Sequence, residues 1–253
     1  MKILSLQSGS SGNCIYLESG GTQLLFDAGI SGVCAQNRLL RHGIDIRRVH
    51  GLFITHDHRD HTASVNVFHR RFKIPIWMTT RTMEAVRDKG IRVPGNIQNF
   101  SANTRFRFRN LSIEAISTTH DAADGVCFVV DDGSVRFGIC TDLGTVFPQL
   151  PKLLDSLDGV LLESNYDPEM LENGFYSAGA KARITSDFGH ISNFEAATLL
   201  AEHGQNLKCV MLGHISHENN TEELVLETHR QVLGRDFECV LAPHFEASEI
   251  VEI

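Results

Sequence analysis

The sequence predicts a mixed α/β (α+β) fold in which two β-sheets lie between layers of helix. Three observations predict it. Blocks of short strands are followed by helical segments, once in each half of the chain. The chain has 253 residues and is 42% apolar, enough to bury a real core without a disulfide or metal staple. No repeat, low-complexity run or linker divides it, so a single domain over 1–253 is expected.

The elements follow in order. Strands are predicted at 2–7, 13–18 and 22–27, with turns at Ser8–Gly12 and at Gly20-Gly21. A helix is predicted over 31–42, then a buried strand over 51–55. Helical pattern covers 62–72 and 80–89, and strands dominate from 96 to 141, turning at Asp131-Asp132-Gly133. The second half alternates: helix 145–154, strand 158–163, helical region 167–187, helix 193–203, strand 208–213, helix 220–233, and strands at 237–242 and 248–252.

Met1–Ser5 runs straight into strand pattern, with no charged-then-apolar leader. No stretch approaches the ~18 apolar residues that span a bilayer. The six cysteines are scattered with no CxxC pair, as in a reduced protein. A cytoplasmic protein with no membrane partner is expected; the oligomeric state is left open.

Thirteen histidines are the compositional anomaly, because histidine is the commonest metal ligand. His56-Asp57-His58-Arg59-Asp60-His61 packs three imidazoles and two carboxylates behind a buried strand. His56 and His58, two apart, can point the same way, while Asp60 and His61 face a second position. Imidazole plus carboxylate suits zinc, and also manganese or iron. Further ligands should lie at other strand ends, and His120, Asp142 and His214 do. These seven suffice for two adjacent metals: His56, His58 and His120 on one, Asp60, His61 and His214 on the other, with Asp142 and a hydroxide bridging. Such a pair clamps the attacking and leaving oxygens of a hydrolytic displacement.

This pattern resembles the metallo-β-lactamase superfamily, over essentially the whole chain. The resemblance implies an αββα four-layer sandwich of two mixed sheets, with a binuclear site at one sheet edge. Phe26-Asp27-Ala28-Gly29 matches an early superfamily signature, which makes Asp27 the residue expected to orient the histidine loop.

The second half is similar to the nuclease branches, the RNase Z type and the β-CASP nucleases. Glu163, then Gly189-His190-Ile191-Ser192, then His214-Ile215-Ser216 carry that likeness. It implies that Glu163 orients His190 and that His190 protonates a leaving alkoxide or holds a phosphate oxygen. Ser8–Asn13, Glu163–Asp167, Gly189–Asn193 and His214–Asn220 resemble the compact YycJ/WalJ-like branch more closely, whose members are described as 5′-to-3′ DNA exonucleases. Gly174-Phe175-Tyr176-Ser177 and Ala180 depart from that branch's usual residues. Lys181, Arg183, Ser192 and Asn193 are the candidate substrate contacts. Lys181 and Arg183 are spaced so that at most one reaches phosphate. Asp60 takes a second role as proton acceptor for the nucleophilic water.

A net charge of −8 argues against a wide nucleic-acid interface. The charge is uneven, however. Residues 38–109 hold 15 Lys and Arg against 5 Asp and Glu, and the rest holds 8 against 26. A sided field could steer one strand end if Arg59, Arg70, Arg71, Lys73 and Arg105, Arg107 and Arg109 converge. The expectation is a phosphodiesterase or nuclease with two divalent ions, zinc or manganese, acting on DNA ends. The alternative is a small-molecule hydrolase of the same fold, a thioesterase or cyclic-nucleotide phosphodiesterase.

Overall fold

A computed structural model describes residues 1–253. The strands are β1 (Lys2–Gln7), β2 (Cys14–Ser19), β3 (Thr22–Phe26), β4 (Gly51–Phe53), β5 (Ile76–Met78), β6 (Gln98–Asn99), β7 (Thr104–Phe108), β8 (Leu111–Ser117), β9 (Val126–Asp131), β10 (Arg136–Cys140), β11 (Gly159–Glu163), β12 (Cys209–Gly213), β13 (Val240–Leu241) and β14 (Val251–Glu252). They form two seven-stranded sheets, β14-β1-β2-β3-β4-β5-β6 and β13-β12-β11-β10-β9-β8-β7. Both sheets are mixed. From β14 to β3, and from β7 to β10, neighbours are antiparallel; from β3 to β6, and from β10 to β13, they are parallel.

The helices are α1 (Gly32–Arg41), α2 (Arg59–Thr62), α3 (Val65–Phe72), α4 (Thr80–Asp88), α5 (Leu150–Asp155), α6 (Pro168–Asn173), α7 (Ala178–Ile184), α8 (Asn193–His203) and α9 (Glu222–Leu233). Ser31, Thr79 and Thr221 cap α1, α4 and α9 through their side-chain oxygens. Each cap satisfies a backbone N–H that the first helical turn leaves open.

Period-two alternation sorts the strand residues into layers. Leu4, Leu6, Tyr16 and Leu25 face α1 and α3, packing with Ala35, Leu39, Val65 and Phe68. Ile3, Leu17, Leu24 and Phe26 face inward and meet Ile113, Phe128, Val130 and Ile139 of the second sheet. Val129, Cys140, Val160 and Leu212 face α5, α8 and α9. Three apolar layers therefore separate four structural layers, the αββα sandwich. The middle layer is aromatic: Phe53 lies within 5.3–6.1 Å, ring to ring, of Phe26, Trp77, Phe106, Phe108 and Phe128.

Some expected elements shrink or divide. The helix expected from 145 begins only at Leu150, with a proline in its first turn, where the missing N–H costs nothing. The helical region 167–187 splits into α6 and α7 at Gly174. The last two strands shorten to Val240–Leu241 and Val251–Glu252. β5 was not expected, because three residues between two helical patterns carry no periodicity.

Candidate metal centre

β3, β4, β8, β10, β11 and β12 all deliver their C-terminal ends to one edge of the sandwich. Asp27 follows β3, His56 follows β4, His120 follows β8, Asp142 follows β10, Glu163 ends β11 and His214 follows β12. Asp27, Asp142 and His214 are left-handed, with φ of 64°, 54° and 53°. A residue with a Cβ pays about 1–3 kcal/mol for such a conformation. The chain tolerates it three times at one edge, turning Asp142 and His214 into the cleft and Asp27 onto His61 behind it.

Three imidazoles converge first. His58 Nδ1 lies 3.2 Å from His120 Nε2. His56 Nε2 is buried with no hydrogen-bond partner. Each ring's other nitrogen is occupied: His56 Nδ1 lies 2.9 Å from Thr55 Oγ1, His58 Nε2 donates to Asp121 O at 3.2 Å, and His120 Nδ1 donates to Gly189 O at 2.7 Å. That outer shell aims one free nitrogen from each ring at a common point, as metal-ligating histidines require.

A second group stands beside it. His61 Nε2 is 3.3 Å from Asp60 Oδ2 and 3.2 Å from Asp142 Oδ2, while its Nδ1 is 2.8 Å from Asp27 Oδ2. His214 Nε2 is 3.3 Å from Asp142 Oδ1, and His120 Nε2 is 3.5 Å from that same oxygen. Asp142 therefore touches both groups, one carboxylate between two sets of imidazoles.

Electrostatics suit metal binding. Burial holds His56 well below the usual histidine range and lowers His58 and His214, which keeps these imidazoles neutral. Burial would raise Asp142 and Asp60, but the neighbouring His61, held protonated, outweighs it by charge and hydrogen bond and keeps both carboxylates ionised. Burial would lower His61, but Asp27, Asp142 and Asp60 hold it well above the usual range. A ligand must shed that proton when a cation enters. An unpartnered buried nitrogen, neutral imidazoles and ionised carboxylates together fit divalent metal ions.

The family model described as "Beta-lactamase superfamily domain" matches residues 22–215. The chain belongs to the beta-lactamase superfamily. Among its relatives in the superfamily, "Exodeoxyribonuclease YycJ" of Bacillus anthracis is 31% identical over 234 residues, covering 90% of this chain and 87% of the relative. "Exodeoxyribonuclease WalJ" of Streptococcus pneumoniae is 34% identical over 227 residues, covering 87% and 83%. The metallo-beta-lactamase fold protein YhfI of Bacillus subtilis superposes with a TM-score of 0.75 at 15% identity, covering 99% of both chains. The short form of human tRNase Z superposes at 0.69 and 17% identity, covering 100% of this chain and 99% of that one. These superpositions identify the superfamily's metallo-β-lactamase fold.

Glu163 and His190 form a hydrogen-bonded pair directly beside Asp142 and His214 in this superfamily member, close enough to be grouped with them as possible ligands. His190 Nδ1 donates to Glu163 Oε1 at 2.6 Å, and Leu143 N donates to Glu163 Oε2 at 3.0 Å. Burial would lower His190, but Glu163 raises it above the ordinary value. His190 lines the same cleft of about 250 Å³ as His58, Asp60, His120, Asp142 and His214.

The expected substrate contacts divide. Arg183 lines the cleft and grips Asp121 through Nε–Oδ2 at 2.6 Å and Nη2–Oδ1 at 2.9 Å. Lys181 instead faces a neighbouring hollow, with Nζ on Glu172 O, because it lies two residues from Arg183 on α7. Ser192 caps α8 in a reciprocal box with Glu195. Asn193 is fully buried, hydrogen-bonded to Ser164 and Asn220. Lys181, Ser192 and Asn193 therefore do not reach the cleft.

The basic block does not converge there either. Arg183 is the one Lys or Arg lining the cleft. Arg48 and Arg109 lie beside His50, at the start of β4 and the far end of the sheet. Arg71 bonds Gln36 and Arg105 pairs with Glu114.

Asn13 was not expected in the site. Its Nδ2 stands 2.9 Å from His61 Nε2, and its N donates to Asp60 O at 2.7 Å. A polar residue after a glycine turn signals only a loop; its burial is a tertiary fact.

Proposed function

We propose that this chain is a metal-dependent exodeoxyribonuclease that hydrolyses the phosphodiester at a DNA end, working from the 5′ side. His56, His58 and His120 would hold one divalent ion, Asp60, His61 and His214 a second, and Asp142 would bridge them, with zinc and manganese both suited to these ligands. Bound ions of this kind supply Lewis acidity and make a water nucleophilic at neutral pH.

The observation that carries the reading is His190, held on Glu163 at 2.6 Å and lining the same cleft as the ligand cluster. A departing alkoxide needs a proton, and an imidazole raised above its ordinary value can supply it near neutrality. Glu163 keeps Nδ1 engaged, so Nε2 is the donating atom. Asp60, partly exposed on the cleft, accepts the proton of the attacking water. Arg183 offers a guanidinium to phosphate oxygens. The cleft is smaller than the 300–1,000 Å³ typical of small-ligand cavities, which favours a substrate that enters only in part. The names of the two sequence relatives support a DNA substrate.

All six cysteines are free, which supports a reducing compartment, the cytoplasm. No helix is long and apolar enough to cross a membrane.

The test is a parallel assay with zinc and with manganese on 5′-phosphorylated single- and double-stranded DNA, on RNA and on a simple phosphodiester. Shortening of DNA from its 5′ end is the expected result. Hydrolysis of the simple ester alone would point to the small-molecule alternative.

A further inference from the structure

The cleft has one guanidinium and the chain carries a net charge of −8. Beyond the one phosphate that bound metal ions would take, side-chain cations therefore give little hold along a polyanion. The large hydrophobic side chains left exposed are Val33, Leu40, Phe175, Tyr176, Phe188, Phe194 and Phe245. Five of the seven are aromatic, and three of those, Phe175, Tyr176 and Phe188, belong to segments that contribute to the cleft. Tyr176 lines it, next to the fully exposed Phe175. Phe188 precedes His190 by two residues, and its carbonyl accepts from Asp121 N.

Phe245 stands 62% exposed yet firmly placed, and its contacts lead to the cleft rim. Its ring meets His244 at 4.3 Å and His217 at 5.5 Å between centroids, both edge to face. Arg38 donates to its carbonyl from one guanidinium nitrogen, while another donates to Leu6 O and Gln7 Oε1. His244 packs on Gly9 so closely that a Cβ there would lie 2.4 Å from its Nδ1. The neighbours of these residues, Ser10 and Ser216, line the cleft. A ring so anchored and still open to solvent is a prepared flat surface.

We infer that two aromatic walls hold an unstacked, single-stranded DNA end by stacking its bases, with Phe245 backed by His217 and His244 on one side and Tyr176 and Phe175 on the other. The inference rests on the nuclease reading and adds how the substrate is gripped. Every base offers a π-face, so such a grip is indifferent to sequence and needs few cations. A duplex end enters only after its terminal pair opens.

Fluorescence anisotropy on the metal-loaded protein tests this, using a phosphorothioate-linked oligothymidine and an equal-length strand abasic at its 5′-terminal positions. Wild type binds the base-bearing strand roughly tenfold tighter or more. Phe245→Leu loses that preference and Phe245→Trp keeps it, at wild-type metal content and melting temperature. The salt slope of log K is the same in Phe245→Leu as in wild type, because the substitution removes no phosphate contact. Equal binding of the two strands by wild type, an undiminished preference in Phe245→Leu, or a salt slope changed by that substitution overturns the inference. If wild type shortens ordinary DNA under any of those outcomes, the nuclease reading stands while the stacking walls fall. If it shortens none, both fall.

Discussion

The carboxylate of Asp27 stands 2.8 Å from Nδ1 of His61, with both side chains buried. Asp27 also accepts from Thr55 N at 2.9 Å and from Thr55 Oγ1 at 3.0 Å. It thus sets the orientation of His61 and ties the end of β4 to the end of β3. Asp27→Asn keeps the shape and removes the charge. Its expected effect is a fall of about 10- to 100-fold in metal affinity with the fold retained, read by calorimetric metal titration and far-UV circular dichroism. Unchanged affinity would remove Asp27 from the site.

Gly29 carries a backbone constraint on the same loop. A Cβ there would lie 1.6 Å from Asp60 O and 2.6 Å from Asn13 N. Gly29→Ala must push the Asp60 backbone away, so stability should fall by about 1–3 kcal/mol or more and metal content with it. Thermal melting and elemental analysis of the same sample check this. A variant with wild-type melting and full metal content would contradict the close packing.

Bound metal should stabilise the fold. The native cluster sets ionised Asp60 and Asp142 among imidazoles, and an unfolded chain offers no such arrangement. At 100 times its dissociation constant, a ligand of the native state alone adds about 2.7 kcal/mol. Chelation should therefore lower the melting temperature by several degrees, and zinc or manganese should restore it. A melting temperature indifferent to both would mean that the cluster binds neither ion.

Proton donation sets a pH dependence. His190 is raised by Glu163, so the donor form persists above the ordinary histidine range and is lost as pH rises through the shifted value. Glu163→Gln removes the main raising charge, and the alkaline limb of turnover should move to lower pH. The acid limb stays, because it belongs to groups near the ligands. A pH–rate profile that does not move in Glu163→Gln would dissociate the pair from turnover.

Much of the candidate site was legible because its signal is local. His56 to His61 form one contiguous run behind an apolar strand, and His120, Asp142 and His214 each follow a strand recognisable by itself. The layered fold was legible because alternation in β1–β3 and β8–β10 names two opposite faces. What stayed hidden depends on geometry that sequence does not print. Asp and His tolerate a positive φ better than most residues, but nothing in the sequence marks Asp27, Asp142 and His214 as the ones that adopt it. Lys181 and Arg183 look alike in sequence, and only the turn of α7 sends one to the cleft and the other away. Ser192 and Asn193 sit beside His190 but are consumed by the cap of α8 and by a buried amide network.

Holding metal and donating a proton fall to different residues, and one paired measurement tests that separation most directly. Metal content and DNA-end hydrolysis should be determined on the same preparations of wild type, His61→Ala and His190→Ala. His61→Ala should lose both metal and activity. His190→Ala should keep wild-type metal content while turnover falls by about 10²- to 10⁴-fold. Loss of metal from His190→Ala, or full activity in His61→Ala, would contradict it.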